Sequence, residues 1–160
     1  MMTEDSFRSS GLRAGRLFGI DIWLHWVLLA IIALKLIDIL LEPGGHYGAP
    51  MVAFASFALA LLVTILLHEF GHAYAAYRQG GDTEKIILWP LGGLAVCNAP
   101  QHPGSQFWVA AGGPLVNLGL GLLAMGACLV LGWNFLPFSS ELVFWQRLVQ
   151  NLFLWNFVLL

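Results

Sequence analysis

From Met51 to Tyr77 the chain is apolar over a run longer than the about 20 residues that carry a helix across a bilayer, and its only acidic or imidazole side chains are His68, Glu69 and His72. A run of this length that is not broken by Pro or Gly until Gly71 has few places to go. It spans a membrane as one helix. On a helix, positions four apart share a face. His68 and His72 therefore present two imidazoles to one point, with Glu69 beside them. This H-E-x-x-H spacing is the one by which two histidines hold a zinc ion while the carboxylate takes a proton from the attacking water.

The bilayer reading agrees with composition. Hydrophobic residues make up 59% of the 160, and charged residues only 10%, against about 25% in an average soluble domain. The length allows roughly four spans of about 20 residues each, with no polar stretch long enough for a separate soluble domain. The expected fold is an all-α integral membrane protein with about four transmembrane helices. Residues 1–19 form a cytoplasmic N-terminal segment, and 20–160 form the membrane core. The spans are predicted at Ile20 to Leu41, Met51 to Tyr77, about Phe107 to Leu131, and from Leu142 onward. Arg8, Arg13 and Arg16 precede the first span, and Arg78 and Lys85 follow the second. By the positive-inside rule both ends are cytoplasmic, which puts the His68 end of the second span toward the cytoplasm. Lys35 and Arg147 fall near the outer interface, where long stems can snorkel to water. The net charge of −2 and the dispersed basic residues exclude an electrostatic footprint for nucleic acid. Cys97 and Cys128 are too few and too far apart for a disulfide framework or a cysteine zinc site, and are read as packing residues.

Between the second and third spans, Ile86 to Val96 is apolar, too short to cross as a helix, and centred on Pro90, Gly92 and Gly93. It reads as a short re-entrant β-hairpin dipping into a protein-lined cavity, or as a loop on the membrane surface; the pattern leaves both open. The third span places Gly113, Asn117 and Gly121 on one stripe. Such a stripe suits close helix packing, with the amide as an interhelical hydrogen bond, or it brings Asn117 to the site. Gly71, a poor helix former, predicts close approach by another backbone or by substrate. Lys35 and Asp38 are spaced to pair. His25 is expected to be a satisfied interfacial histidine, and His46 and His102 lie in loops without an assigned role.

Position sharpens the His68–Glu69–His72 motif. A charged group at the centre of a spanning helix costs roughly 2.5–3.5 kcal/mol on insertion scales, so three ionisable groups in five residues require compensation. A zinc ion supplies it by taking neutral imidazoles.

The chain resembles the site-2 proteases, intramembrane zinc metalloproteases of peptidase family M50. The resemblance rests on Gly15-Arg16-Leu17-Phe18-Gly19-Ile20 leading to His25-Trp26, on Leu67-His68-Glu69-Phe70-Gly71-His72-Ala73, on Pro90-Leu91-Gly92-Gly93-Leu94-Ala95, and on Ala111-Gly112-Gly113-Pro114-Leu115-Val116-Asn117, in that order. It implies a multi-pass protein of the cell membrane that cuts a membrane-anchored protein substrate within or beside its transmembrane segment, as in regulated intramembrane proteolysis. His68 and His72 would bind Zn2+ and Glu69 would be the general base. Gly92 and Gly93 would belong to a hairpin offering a strand edge to unwound substrate, and Asn117 would bind substrate or the developing oxyanion. The family takes its third metal ligand from an Asp in a Leu-Asp-Gly motif late in the fourth span. No such motif occurs up to Leu160, and Asn151 to Phe157 resembles the approach to it, so the expectation is an amino-terminal part of the catalytic core. Val143 to Leu160 matches Met51 to His68 in length, which places the end of the fourth helix near the depth of His68. The alternative is a catalytically silent membrane scaffold or metal-binding protein of the same fold. Assembly into a homo-oligomer is left open.

Overall fold

The computed structural model describes residues 11–41, 48–89, 92–136 and 143–160. Arg8, His46 and the rest of 42–47, Pro90 and Leu91, and the predicted start of the fourth span at Leu142 lie outside the described residues. In chain order the elements are β1 (Gly11–Leu17), β2 (Ile20–His25), α1 (Trp26–Leu40), α2 (Gly48–Arg78), β3 (Asp82–Trp89), β4 (Gly92–Asn98), α3 (Pro103–Leu131) and α4 (Phe144–Val158).

The expected helical bundle carries a sheet larger than one hairpin. Its four strands run in the order β1-β2-β3-β4. The β1–β2 and β3–β4 pairs are antiparallel, and β2 lies parallel to β3 with Ile22 opposite Ile86 and Leu24 opposite Leu88. The expected all-α class is therefore corrected to a mostly helical fold with a small sheet, and the first span does not begin at Ile20. Ile20, Ile22 and Leu24 alternate with Asp21, Trp23 and His25, a period of two that suits a strand with one buried face. The tight β1–β2 turn has Phe18 at φ 51° and Gly19 at φ 85°, the two positive values of a type I′ hairpin turn. Arg13 donates to Asp21 across the pair at 2.7 Å. His25 ends the strand and caps α1 by accepting from the Val27 N–H at 3.2 Å.

Of the four helices described, α2 with 31 residues and α3 with 29 are long and apolar enough to cross a membrane, and only 22% of each one's most apolar window is buried within the protein. Low burial matters here, because a soluble protein would hide such faces. Leu115, Leu118, Leu122, Leu123, Leu129 and Val130 stand exposed along α3, a belt that a bilayer covers. By contrast α1 and α4 have 15 residues each, about 22 Å of helix. Both long helices stop on glycine. Gly80 at φ 83° follows α2 and Gly132 at φ 64° follows α3. At each end the paired bonds of a Schellman cap form: Gly81 N–H to Ala76 O at 2.9 Å with Gly80 N–H to Tyr77 O at 3.0 Å, and Trp133 N–H to Cys128 O at 2.9 Å with Gly132 N–H to Leu129 O at 3.3 Å.

The apolar core lies where the sheet meets the helices. Ile22, Ile86 and Leu88 from the sheet pack with Leu28 of α1 and Ile65 of α2. This seats the β3–β4 hairpin against α2 within one turn of His68. On the other side, α4 is held to α2 by polar contacts, with Asn156 Nδ2 donating to Thr64 Oγ1 at 3.0 Å and Asn151 Nδ2 to Ser56 Oγ at 3.4 Å. Arg147, expected to snorkel outward, is instead only 7% exposed. Lys35 and Asp38 pair as expected, at 2.6 Å on an exposed face of α1.

Candidate metal centre

The two histidines of α2 converge as the four-residue spacing requires. His68 Nε2 and His72 Nε2 are 3.1 Å apart, and one donor atom from each of His68, Glu69 and His72 falls within 4.8 Å of the others. Among the described residues this is the one cluster of its kind. Two imidazole nitrogens bound tetrahedrally at 2.0–2.1 Å would be about 3.3 Å apart, so the pair already holds the separation a shared zinc needs. The second ring nitrogen of His72 defines its tautomer. Nδ1 lies 2.7 Å from Val109 O, and a carbonyl can only accept, so Nδ1 carries the proton and Nε2 keeps its lone pair. This outer hydrogen bond to a backbone carbonyl is the usual support of a metal-binding histidine. Val109 lies in the first part of α3, four residues before Gly113.

Helix α3 can approach so closely because it has no side chains there. A Cβ on Gly112 would strike Gly71 O, and one on Gly71 would strike Gly112 O. The predicted close approach at Gly71 is thus a helix–helix backbone crossing. One residue on, a Cβ at Gly113 would meet both His68 Nε2 and His72 Nε2, and further along the stripe a Cβ at Gly121 would meet the Phe157 ring of α4 at 2.8 Å. Gly113→Val is therefore expected to abolish zinc binding by filling the metal position, read as metal content of the purified protein; zinc retained at the wild-type level would refute this geometry.

The hairpin closes the opposite side. Glu69 is 4% exposed and lies against Gly93, where a Cβ would meet Glu69 Oε1 at 2.6 Å. The Ala95 backbone N–H of β4 is the carboxylate's hydrogen-bond donor. Gly92, at φ 151°, opens onto the same space. Ile65, His68, Glu69, Gly92, Gly93 and Leu159 line a cavity of about 280 Å³. Leu159 directly follows α4, so a ligand supplied just beyond that helix would arrive beside His68 and Glu69. Asn117 is fully buried, does not line this cavity, and donates from Nδ2 to Leu159 O at 3.0 Å.

The other polar residues lie elsewhere. Asp82 and Glu84 are exposed on strand β3, and Glu84 accepts from Asn98 at 3.3 Å. Asp21 is taken by Arg13 and Arg16. His102 caps α3 by accepting from the Ser105 N–H at 3.1 Å. Burial pushes the Cys97 thiol up, while a hydrogen bond from Thr83 at 3.2 Å pulls it back down. Val109, Ala95 and Leu159 act through backbone or position, and residue type gave no sign of them.

A helix with two converging imidazoles beside a carboxylate, a glycine-faced partner helix and a hairpin seated against that carboxylate together form a candidate metal centre on long apolar helices. The chain belongs to peptidase family M50, whose profile matches residues 56–155. Rip3 of Mycobacterium tuberculosis, which bears a zinc metalloprotease name, is 32% identical over 152 residues, covering 91% of this chain and 39% of that protein. The zinc metalloprotease MJ0392 of Methanocaldococcus jannaschii is 30% identical over 114 residues, covering 71% and 31%. The chain thus spans less than half the length of these relatives. The solved site-2 protease from Methanocaldococcus jannaschii shares the fold with a TM-score of 0.67 at 24% identity, over 94% of this chain and 64% of that one. Zinc is the metal that suits both the donor set and these relatives.

Proposed function

We propose that this chain carries the core of an intramembrane zinc metalloprotease, hydrolysing a peptide bond in or near the transmembrane segment of a membrane-tethered protein. The observation that carries the reading is the 3.1 Å approach of His68 Nε2 to His72 Nε2, with Glu69 beside them, inside a helix whose apolar surface is largely unburied. His68 and His72 would hold the zinc ion, which would supply Lewis acidity toward the attacking water and the scissile carbonyl. Glu69, nearly buried and held by the Ala95 N–H, takes a proton from the attacking water and can return it to the leaving amine. Leu159, directly after α4, lines the same cavity as His68 and Glu69.

A helical substrate hides its scissile carbonyl, so it must unwind before attack. Strand β4 is the last strand of the sheet, and its start, Gly92 and Gly93, lies at Glu69. An extended segment adding to that edge would bring its backbone to the site. The protein is taken as multi-pass in the cell membrane, with α1 and α4 also embedded, a cytoplasmic N-terminus, and the site toward the cytoplasmic side. The full-length protein in liposomes with a single-span reporter tests this. Cuts mapped by mass spectrometry should fall within or at the edge of the span, and should cease with a zinc chelator and return with zinc. Cuts confined to the water-exposed part of the reporter, or indifferent to chelation, would overturn the reading.

A further inference from the structure

His72 has its outer partner in Val109 O, but His68 has none of that kind from the backbone. Its Nδ1 is buried and completes no hydrogen bond of standard geometry. The same holds for Asn117 Oδ1. These two orphaned atoms belong to neighbours. The Asn117 amide interacts with the His68 ring, and it stands one turn along α3 from Gly113, whose missing Cβ admits the His68 and His72 nitrogens. The other end of the amide is committed, with Nδ2 donating to Leu159 O at 3.0 Å. That bond leaves Oδ1 without a partner of its own. A buried carbonyl oxygen and a buried ring N–H each cost roughly 1–3 kcal/mol when left unpaired, so pairing them removes two penalties at once.

From this arrangement we infer that Asn117 is a positioning residue for His68: its Oδ1 accepts the His68 Nδ1 proton, which leaves the lone pair on Nε2, the atom that faces His72. Asn117 then does for His68 what Val109 O does for His72, and both rings present Nε2 to the same point. Because the same amide holds Leu159 O, the tautomer of a metal ligand is tied to the seating of the residue after α4. Asn117 acts through His68 and does not touch the substrate. The inference rests on the zinc reading of His68 and His72.

The test is zinc affinity of the full-length protein in detergent, by chelator competition, for wild type, Asn117→Leu and Asn117→Asp, with thermal unfolding as a control for the fold. Asn117→Leu keeps the size and removes the acceptor, and should weaken zinc binding about 10–100-fold. Asn117→Asp keeps an acceptor for His68 but loses the donor to Leu159, and should stay within a few-fold of wild type. Equal losses in the two variants would make the α4 tether the cause and overturn the inference. So would an Asn117→Leu protein that binds zinc like wild type but turns over slowly, since that assigns the amide to substrate. Should the Leu variant not fold, Asn117→Ala carries the same comparison. A wild-type protein that binds no zinc at all, with His72→Ala no different, would overturn the zinc reading itself and this inference with it.

Discussion

Glu69→Gln is expected to slow peptide hydrolysis by roughly 10²–10⁴-fold, the span of general acid–base contributions, while zinc stays bound. The amide matches the carboxylate in size, so it can fill the same space against Gly93 and keep the hairpin seated. It cannot accept a proton. Single-turnover cleavage of a membrane-tethered substrate by the complete protein, with zinc content measured on the same sample, separates the two effects. Undiminished cleavage would exclude Glu69 as the base. Cleavage lost together with zinc would make Glu69 a ligand rather than a base, an outcome the 4.8 Å cluster permits and the Ala95 contact opposes.

His72→Ala is expected to remove both zinc and activity. It deletes one of two imidazoles 3.1 Å apart and the ring's bond to Val109 O, so its effect should exceed the about 10–100-fold in affinity that a lost outer partner costs. Metal analysis after purification in excess zinc checks it, and near-stoichiometric zinc in the variant would rule out His72 as a ligand. Gly113→Val should reach the same end by a different route, filling the space in front of both rings while leaving both ligands in place. Agreement between the two variants would fix the metal position independently of either one.

The His68–Glu69–His72 cluster was legible in sequence because it is local: three side chains on one helix face need only the helix to meet. The apolar runs foretold α2 and α3 for the same reason, since length and hydropathy are properties of a segment. The hairpin over Ile86 to Val96 was legible as a turn, with Pro and Gly breaking an apolar stretch, and the structure resolves its open alternative in favour of paired strands β3 and β4. The strand at Ile20–His25 was misread as the start of a helix. A six-residue apolar alternation that runs directly into Trp26–Leu40 blends into the helical run, and its strand identity depends on β3, some sixty residues away.

By itself, then, the sequence determined the two long apolar helices, the paired imidazoles with their adjacent carboxylate, and the small-residue stripe that lets α3 come close. Each of these follows from spacing along one segment. Only the tertiary structure decided what completes the site: the Val109 carbonyl behind His72, the Ala95 N–H and Gly93 against Glu69, and Leu159 in the cavity wall. Those contacts come from backbone groups that every residue possesses, or from the lack of a side chain. They acquire meaning only when packing brings distant segments to within hydrogen-bonding range, and no residue type announces them in advance.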